Sequence, residues 1–302
     1  MQTTTETPTA SRRIALLGIL AITLIWSLNW TAGKIAMRDG GPFAFSALRY
    51  VLGTAGLFAL LIARRRSLRP TPWLPTLGIG LSQTVGFQTL MQWSLVSGGA
   101  GKMALLAYSM PFFVIPLAWW WLHERPGLAR WLCIAVAALG YVCVIAPWQP
   151  IGSPASVAMA LASGLCWAVA AVISKWTFQQ YPQVSPLELT AWQMLPGTLG
   201  LVAIALLVPE RAIHWSASYV GALLYSGLLA SSVAWVAWAV VVRHVQASVA
   251  GVASLAVPVG GVLFAWAILG ENPSLIDWLG IALIAGALMV LNFAGNPGTG
   301  TR

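Results

Sequence analysis

The chain repeats itself in order. Trp26 leads to Lys34 at the spacing that takes Trp167 to Lys175. Pro42, Arg49 and Gly53-Thr54-Ala55-Gly56-Leu57 return as Pro186, Gln193 and Gly197-Thr198-Leu199-Gly200-Leu201. Pro111, Glu124-Arg125-Pro126 and Trp131 return as Pro258, Glu271-Asn272-Pro273 and Trp278. The offset grows from 141 to 144 to 147 residues, so the copies align with only small insertions. Repeats of this scale in an apolar chain mark secondary transporters, whose site lies between the halves.

Apolar residues make up 59% of the chain and charged residues 8%, against roughly a quarter charged in soluble domains. The chain therefore reads as an all-α integral membrane protein. Its net charge of +9 is scattered between hydrophobic runs, apart from Arg64-Arg65-Arg66 and Arg69. That is not the clustered basic face of a nucleic-acid binder, so no nucleic-acid partner is expected. Cys133, Cys143 and Cys166 lie in apolar stretches with no metal-ligand spacing. No metal and no cofactor are expected.

A bilayer core needs about 20 helical residues per crossing. Runs of that kind occupy 14–36, 43–63, 73–95, 101–122 and 128–146, then 154–178, 187–208, 217–242, 247–269 and 276–294. Gly40-Gly41-Pro42, Gly98-Gly99, Glu124-Arg125-Pro126 and Asn272-Pro273 punctuate them. The division is a disordered cytoplasmic N-terminus over 1–13, repeats over 14–146 and 154–294, and a cytoplasmic tail over 295–302. With the N-terminus inside, eleven Lys/Arg fall on the cytoplasmic side and Lys34, Arg38, Lys102 and Arg211 outside, as the positive-inside rule asks. Five spans per half is odd, so the repeats are inverted around a central cavity. Many of the seventeen Trp, among them Trp73, Trp148, Trp215 and Trp278, end spans as an interfacial belt would.

The two five-span halves with Pro…Glu-x-Pro…Trp in each, Trp26-Ser27-Leu28-Asn29, and Arg49 in the second span resemble the EamA family of the drug/metabolite transporter superfamily over about 14–294. Within it the chain is similar to YddG-type amino-acid exporters. The second half departs from the pattern, with Ala170 opposite Asn29 and Gln193 opposite Arg49. The resemblance implies a cavity lined by spans one, three, four, six, eight and nine, with five and ten peripheral. It also implies export of amino acids or other small metabolites.

Intramembrane amides and hydroxyls need partners or water. Gln83, Gln88 and Gln92 on the third span, with Ser231 beside Trp235 on the eighth, are candidate substrate-binding residues. Gln88 and Gln92 share a helix face and Gln83 lies on its other edge; bonding between helices is the competing role. Trp26, Asn29, Tyr108 and Trp167 complete the binding set. Pro111 and Pro258 free backbone carbonyls and are candidate hinges. Arg49, about 9 Å from the outer end of its span by helical rise, is read as snorkelling outward or capping carbonyls, with attraction of a substrate carboxylate as the alternative. Glu124 and Glu271 read as boundary charges.

Residues 14–33 contain no Asp or Glu, and all seven acids lie outside spans or at their edges. A proton relay needs an ionisable group within the membrane. Facilitative alternating access across the cell inner membrane is therefore expected, with proton-coupled export of drugs or other metabolites as the alternative. No paired nucleophile and base, carboxylate dyad or metal-ligand set argues for an enzyme. The expected partners are a small-molecule substrate and the lipid bilayer. The chain is expected to be a monomer or a weak homodimer, with Ala282 and Gly286 offering a small-xxx-small pair.

Overall fold

The computed structural model describes residues 8–97, 100–148, 152–270 and 272–293. Residues 1–7, the tail 295–302, Gly98, Gly99 and Glu271 lie outside the described residues. The described residues are helical, with no strand among them. The elements are α1 (Pro8–Ala36), α2 (Pro42–Ala63), α3 (Trp73–Ile79), α4 (Phe87–Ser97), α5 (Ala100–Ala107), α6 (Met110–Leu122) and α7 (Leu128–Ile145). They continue as α8 (Pro154–Gln180), α9 (Pro186–Leu207), α10 (Ala217–Leu224), α11 (Ala234–His244), α12 (Ala247–Ser254), α13 (Ala256–Leu269) and α14 (Leu275–Phe293). Among the described residues, seven helical runs are long and apolar enough to cross a membrane. Trp73, Trp120, Trp148 and Trp215 are all more than half exposed, as apolar side chains facing lipid would be. The molecule is a multi-pass membrane protein.

Local chemistry sets the helix ends. Proline opens α2, α8 and α9, where its missing N–H costs nothing. Ser185 and Glu188 form a reciprocal capping box at α9. In the first half the break between α5 and α6 falls at Tyr108–Ser109, just before Pro111. In the second, the break between α12 and α13 falls at Leu255, just before Pro258. Each proline removes the donor that would have bonded the carbonyl four residues back. Single i→i+3 turns replace the helix there, Tyr108 N–H to Leu105 O at 2.9 Å and Leu255 N–H to Val252 O at 3.1 Å. Tyr141 on α7 donates its hydroxyl to Leu105 O at 2.7 Å, so one broken turn is tied from outside.

Two π-helical segments, Gly80–Gly86 between α3 and α4 and Tyr225–Val233 between α10 and α11, occupy matching places in the halves. Each widens the helix by a residue and re-aims the side chains beyond it.

The two halves make matching contacts. α1 packs on α11 and α13, and its counterpart α8 packs on α4 and α6. α2 lies on α9, and α7 lies on α14. Glycines let these backbones approach: a Cβ on Gly280 would sit 2.7 Å from Gly140 O. A Cβ on Gly227 would sit 3.1 Å from Arg49 O, and one on Gly80 2.5 Å from Gln193 O. Arg49 and Gln193 are repeat partners, so the same crossing is built twice.

Candidate substrate cavity

A cavity of about 730 Å³ occupies the centre of the bundle and runs to one end of it. That size suits a small-molecule ligand. Its floor is aromatic. Trp26 of α1 and Trp167 of α8, equivalent in the repeat, stand edge to face with centroids 5.6 Å apart. Trp235 of α11 meets Trp26 at 4.7 Å, and Phe87 meets Trp167 at 5.3 Å. Tyr108, beside the α5–α6 break, meets Trp167 at 5.5 Å. Phe87–Trp167 is tilted, and the other three pairs are edge to face, a favoured arrangement of ring quadrupoles. Trp238 lies beneath, 1% exposed, and does not reach the cavity.

One wall is polar. Gln88 Oε1 accepts from Arg49 Nη2 at 2.7 Å, and Gln88 Nε2 donates to Tyr50 Oη at 2.9 Å. Trp235 Nε1 also donates to Tyr50 Oη, at 3.0 Å. The Arg49 guanidinium lies 5.1 Å from the centre of the Tyr50 ring. Gln92 Nε2 donates to Ser46 Oγ at 2.8 Å. Asn29 lines the cavity with its Oδ1 buried and unpartnered. Trp26 Nε1 donates to Ala230 O at 3.0 Å, a carbonyl within the second π-helical segment.

Of the residues singled out in the sequence, Trp26, Asn29, Gln88, Gln92, Tyr108, Trp167, Trp235 and Pro258 line this space. Three do not. Gln83 is buried, 4% exposed, away from the cavity. Ser231 packs at the α2 crossing, where a Cβ on Gly53 would stand 3.1 Å from its own. Pro111 abuts Gly251 of α12.

The outward course read for Arg49 is corrected: the side chain is 8% exposed and turned into the cavity, held by Gln88. The implied set of lining spans is also wider than expected. α2 enters through Arg49 and Tyr50, and the ends of α7 and α14 enter through Val144, Ala146, Ile276 and Asp277. Glu124 is more than a boundary charge. It is buried, and its carboxylate accepts from Ala247 N, Ser248 N and Ser248 Oγ at 2.9, 3.2 and 2.9 Å, capping α12. Lys175 donates to Arg243 O and Val245 O at 3.1 and 2.7 Å, while its repeat partner Lys34 lines the cavity.

A multi-pass helical bundle that surrounds a cavity reaching one of its ends is the architecture of a membrane transporter. The chain belongs to the EamA-like transporter family, whose model matches twice, at 13–146 and 155–293. It is 27% identical to the uncharacterized transporter YoaV of Bacillus subtilis over 92% of this chain and 96% of that one. It is 25% identical to a probable amino-acid metabolite efflux pump of Salmonella typhimurium, covering 93% of this chain and 95% of the relative. A probable terminal-alkyne amino-acid exporter of Streptantibioticus cattleyicolor is 26% identical over 90% of this chain and 92% of its own length. A solved crystal structure shares the fold, with a TM-score of 0.80 at 23% identity over 94% of this chain and 99% of the other.

Proposed function

We propose that this protein exports small neutral amino acids, aromatic ones included, across the cell inner membrane by facilitative alternating access. In this reading ten spans form two inverted five-helix repeats, and both termini are cytoplasmic. The observation that carries it is the cavity, with an aromatic floor, a polar wall and one open end. The lining residues reach the α1–α2, α7–α8 and α13–α14 connections, which the distribution of Lys/Arg puts outside. At the other end Glu124, Lys175 and Arg243 bind backbone across the helix ends. This is an outward-open arrangement. The two relatives named for amino acids support the substrate class. Asp277 is the acidic side chain among the described cavity-lining residues, and it caps its own helix, which supports uncoupled transport.

Counterflow in proteoliposomes tests the proposal. Labelled Met, Thr, Phe or Trp is expected to exchange against an internal load of the same compounds, with a cationic dye excluded and no requirement for a pH gradient. Failure of every amino acid to compete at millimolar concentration would sink the substrate class. Uptake that appears only under an imposed pH gradient would sink the facilitative mechanism.

A further inference from the structure

Arg49 is a buried cation without a buried anion. Its side chain is 8% exposed in the cavity wall. Among the described residues no carboxylate lies within ion-pair distance of it. Its hydrogen-bond acceptor is the neutral Gln88 amide, and its Nε is buried and unpartnered. The other charged residues lining the cavity are Lys34 and Asp277, in the last turn of α1 and the first turn of α14. Asp277 Oδ2 is engaged by Ser274 N and Oγ at 2.8 and 2.7 Å. A guanidinium at membrane depth is costly unless water or an anion compensates it.

The surroundings hold that charge in place. Gln88 is fixed at both ends of its amide, by Arg49 on the oxygen and Tyr50 on the nitrogen. Tyr50 Oη accepts from both Gln88 and Trp235, so its own proton remains for donation. The charge is thereby linked through three hydrogen bonds to an indole of the aromatic floor. Beside Arg49 the wall offers no carboxylate to a cation, the lining Asp277 lying in the first turn of α14 with its Oδ2 bonded to Ser274. Asn29 Oδ1 is a neutral unpartnered acceptor, adequate for one hydrogen bond from an ammonium group but not for neutralising it.

We infer that Arg49 is the carboxylate-binding residue of the cavity. The substrate is therefore recognised as a small carboxylate with an apolar or aromatic side chain, its α-ammonium being accepted but not required. The inference rests on the proposed export of amino acids through this same cavity and narrows it. Desamino acids should enter as amino acids do, whereas amines and carboxamides of the same shape should not.

Four probes of one shape separate these cases: L-phenylalanine, 3-phenylpropionate, 2-phenylethylamine and L-phenylalaninamide. Binding is read as the rise in thermal unfolding midpoint of the purified full chain, since a ligand selective for the folded state stabilises it. Both carboxylates are expected to raise the midpoint, the amine and the amide only at tenfold or higher concentration. Arg49→Gln should weaken both carboxylates at least tenfold, about 1.4 kcal/mol, with Arg49→Lys intermediate because it keeps the charge without the planar fork. The comparison on the unaltered chain stands even if a variant fails to fold. Amine or amide binding at the concentrations that suffice for the carboxylates overturns the inference, as does a folded Arg49→Gln with unchanged carboxylate affinity or silence toward both carboxylates. Binding of 3-phenylpropionate without phenylalanine would retain the carboxylate site and remove amino-acid export. Binding of phenylalanine, its amide and the amine without 3-phenylpropionate would do the reverse.

Discussion

Tyr50 shows how one buried oxygen can organise a wall. It is fully buried, and its hydroxyl receives the Gln88 amide and the Trp235 indole. Tyr50→Phe preserves the ring and leaves two buried N–H donors without their acceptor. A donor stranded in this way costs about 1–3 kcal/mol. The variant should unfold at a lower temperature and bind substrate more weakly. Trp235→Phe should cost less, because it deletes the donor and keeps part of the stacking surface. Equal midpoints for the unaltered chain and Tyr50→Phe would show that the hydroxyl is not the hub its contacts describe. Residues such as Gln88, Gln92 and Asn29 were legible in the sequence because amides are rare and costly in hydrocarbon. Tyr50 was not, since a tyrosine in an apolar span is ordinary. The direction of Arg49 was not either: helical rise fixes depth along a span, while the inward turn depends on Gln88 of another helix.

The elements divide along the same line. The breaks at Tyr108–Ser109 and Leu255 follow from Pro111 and Pro258, whose effect on a helix is local and readable. The π-helical segments carry no comparable signal; they appear where Gly80 and Gly227 press against the backbones of Gln193 and Arg49. α7 and α14 look merely apolar in sequence, yet their crossing has little tolerance. A Cβ at Gly280 would meet Gly140 O and Val144 Cγ2, each at 2.7 Å. Gly280→Val should part the pair at a cost of about 1–3 kcal/mol or more, seen as a loss of monodisperse protein on size exclusion. Gly286→Ala, which meets nothing within 4 Å, is the matched control.

A connection outside the spans adds a pH dependence. The Ser216 hydroxyl at 2.5 Å, followed by the weaker influences of His214 and Arg211, holds the Asp39 carboxyl below its ordinary value. A lowered carboxyl pKa contributes stability that is complete above the unfolded value, near 3.8, and is lost as pH falls through the folded value. The contact between residues 37–41 and 210–217 should therefore hold from pH 5 to 8 and loosen only in acid. Hydrogen exchange of those two segments, compared with Asp39→Asn, measures it. Loosening between pH 6 and 7 would contradict the assignment to Asp39.

At the scale of the whole molecule, the proposed outward-open state requires one end to be shut by interactions that can be undone. Glu124 from the first half caps α12 of the second, and Lys175 holds the final carbonyls of α11, so together they pin the turn over 244–247. These helix-end contacts, a few hydrogen bonds each, sit beside the apolar packing of α12 on α6, where Val114 faces Gly251. Glu124→Ala removes a cap worth about 0.5–2 kcal/mol. By the tenfold per 1.4 kcal/mol rule, that shifts an open–closed equilibrium by roughly two- to thirtyfold. Amide exchange over 244–250 should quicken within that range in Glu124→Ala, and also in Lys175→Met. The α7–α14 crossing at Gly140 and Gly280, whose close contacts involve neither Glu124 nor Ala247 and Ser248, should keep its protection. Lys34, the repeat partner of Lys175, lines the open mouth, so Lys34→Met should leave exchange over 244–250 unchanged or slower. Equal acceleration in all three variants would mean general loosening rather than release of one end, and would remove the physical basis for a gate at Glu124.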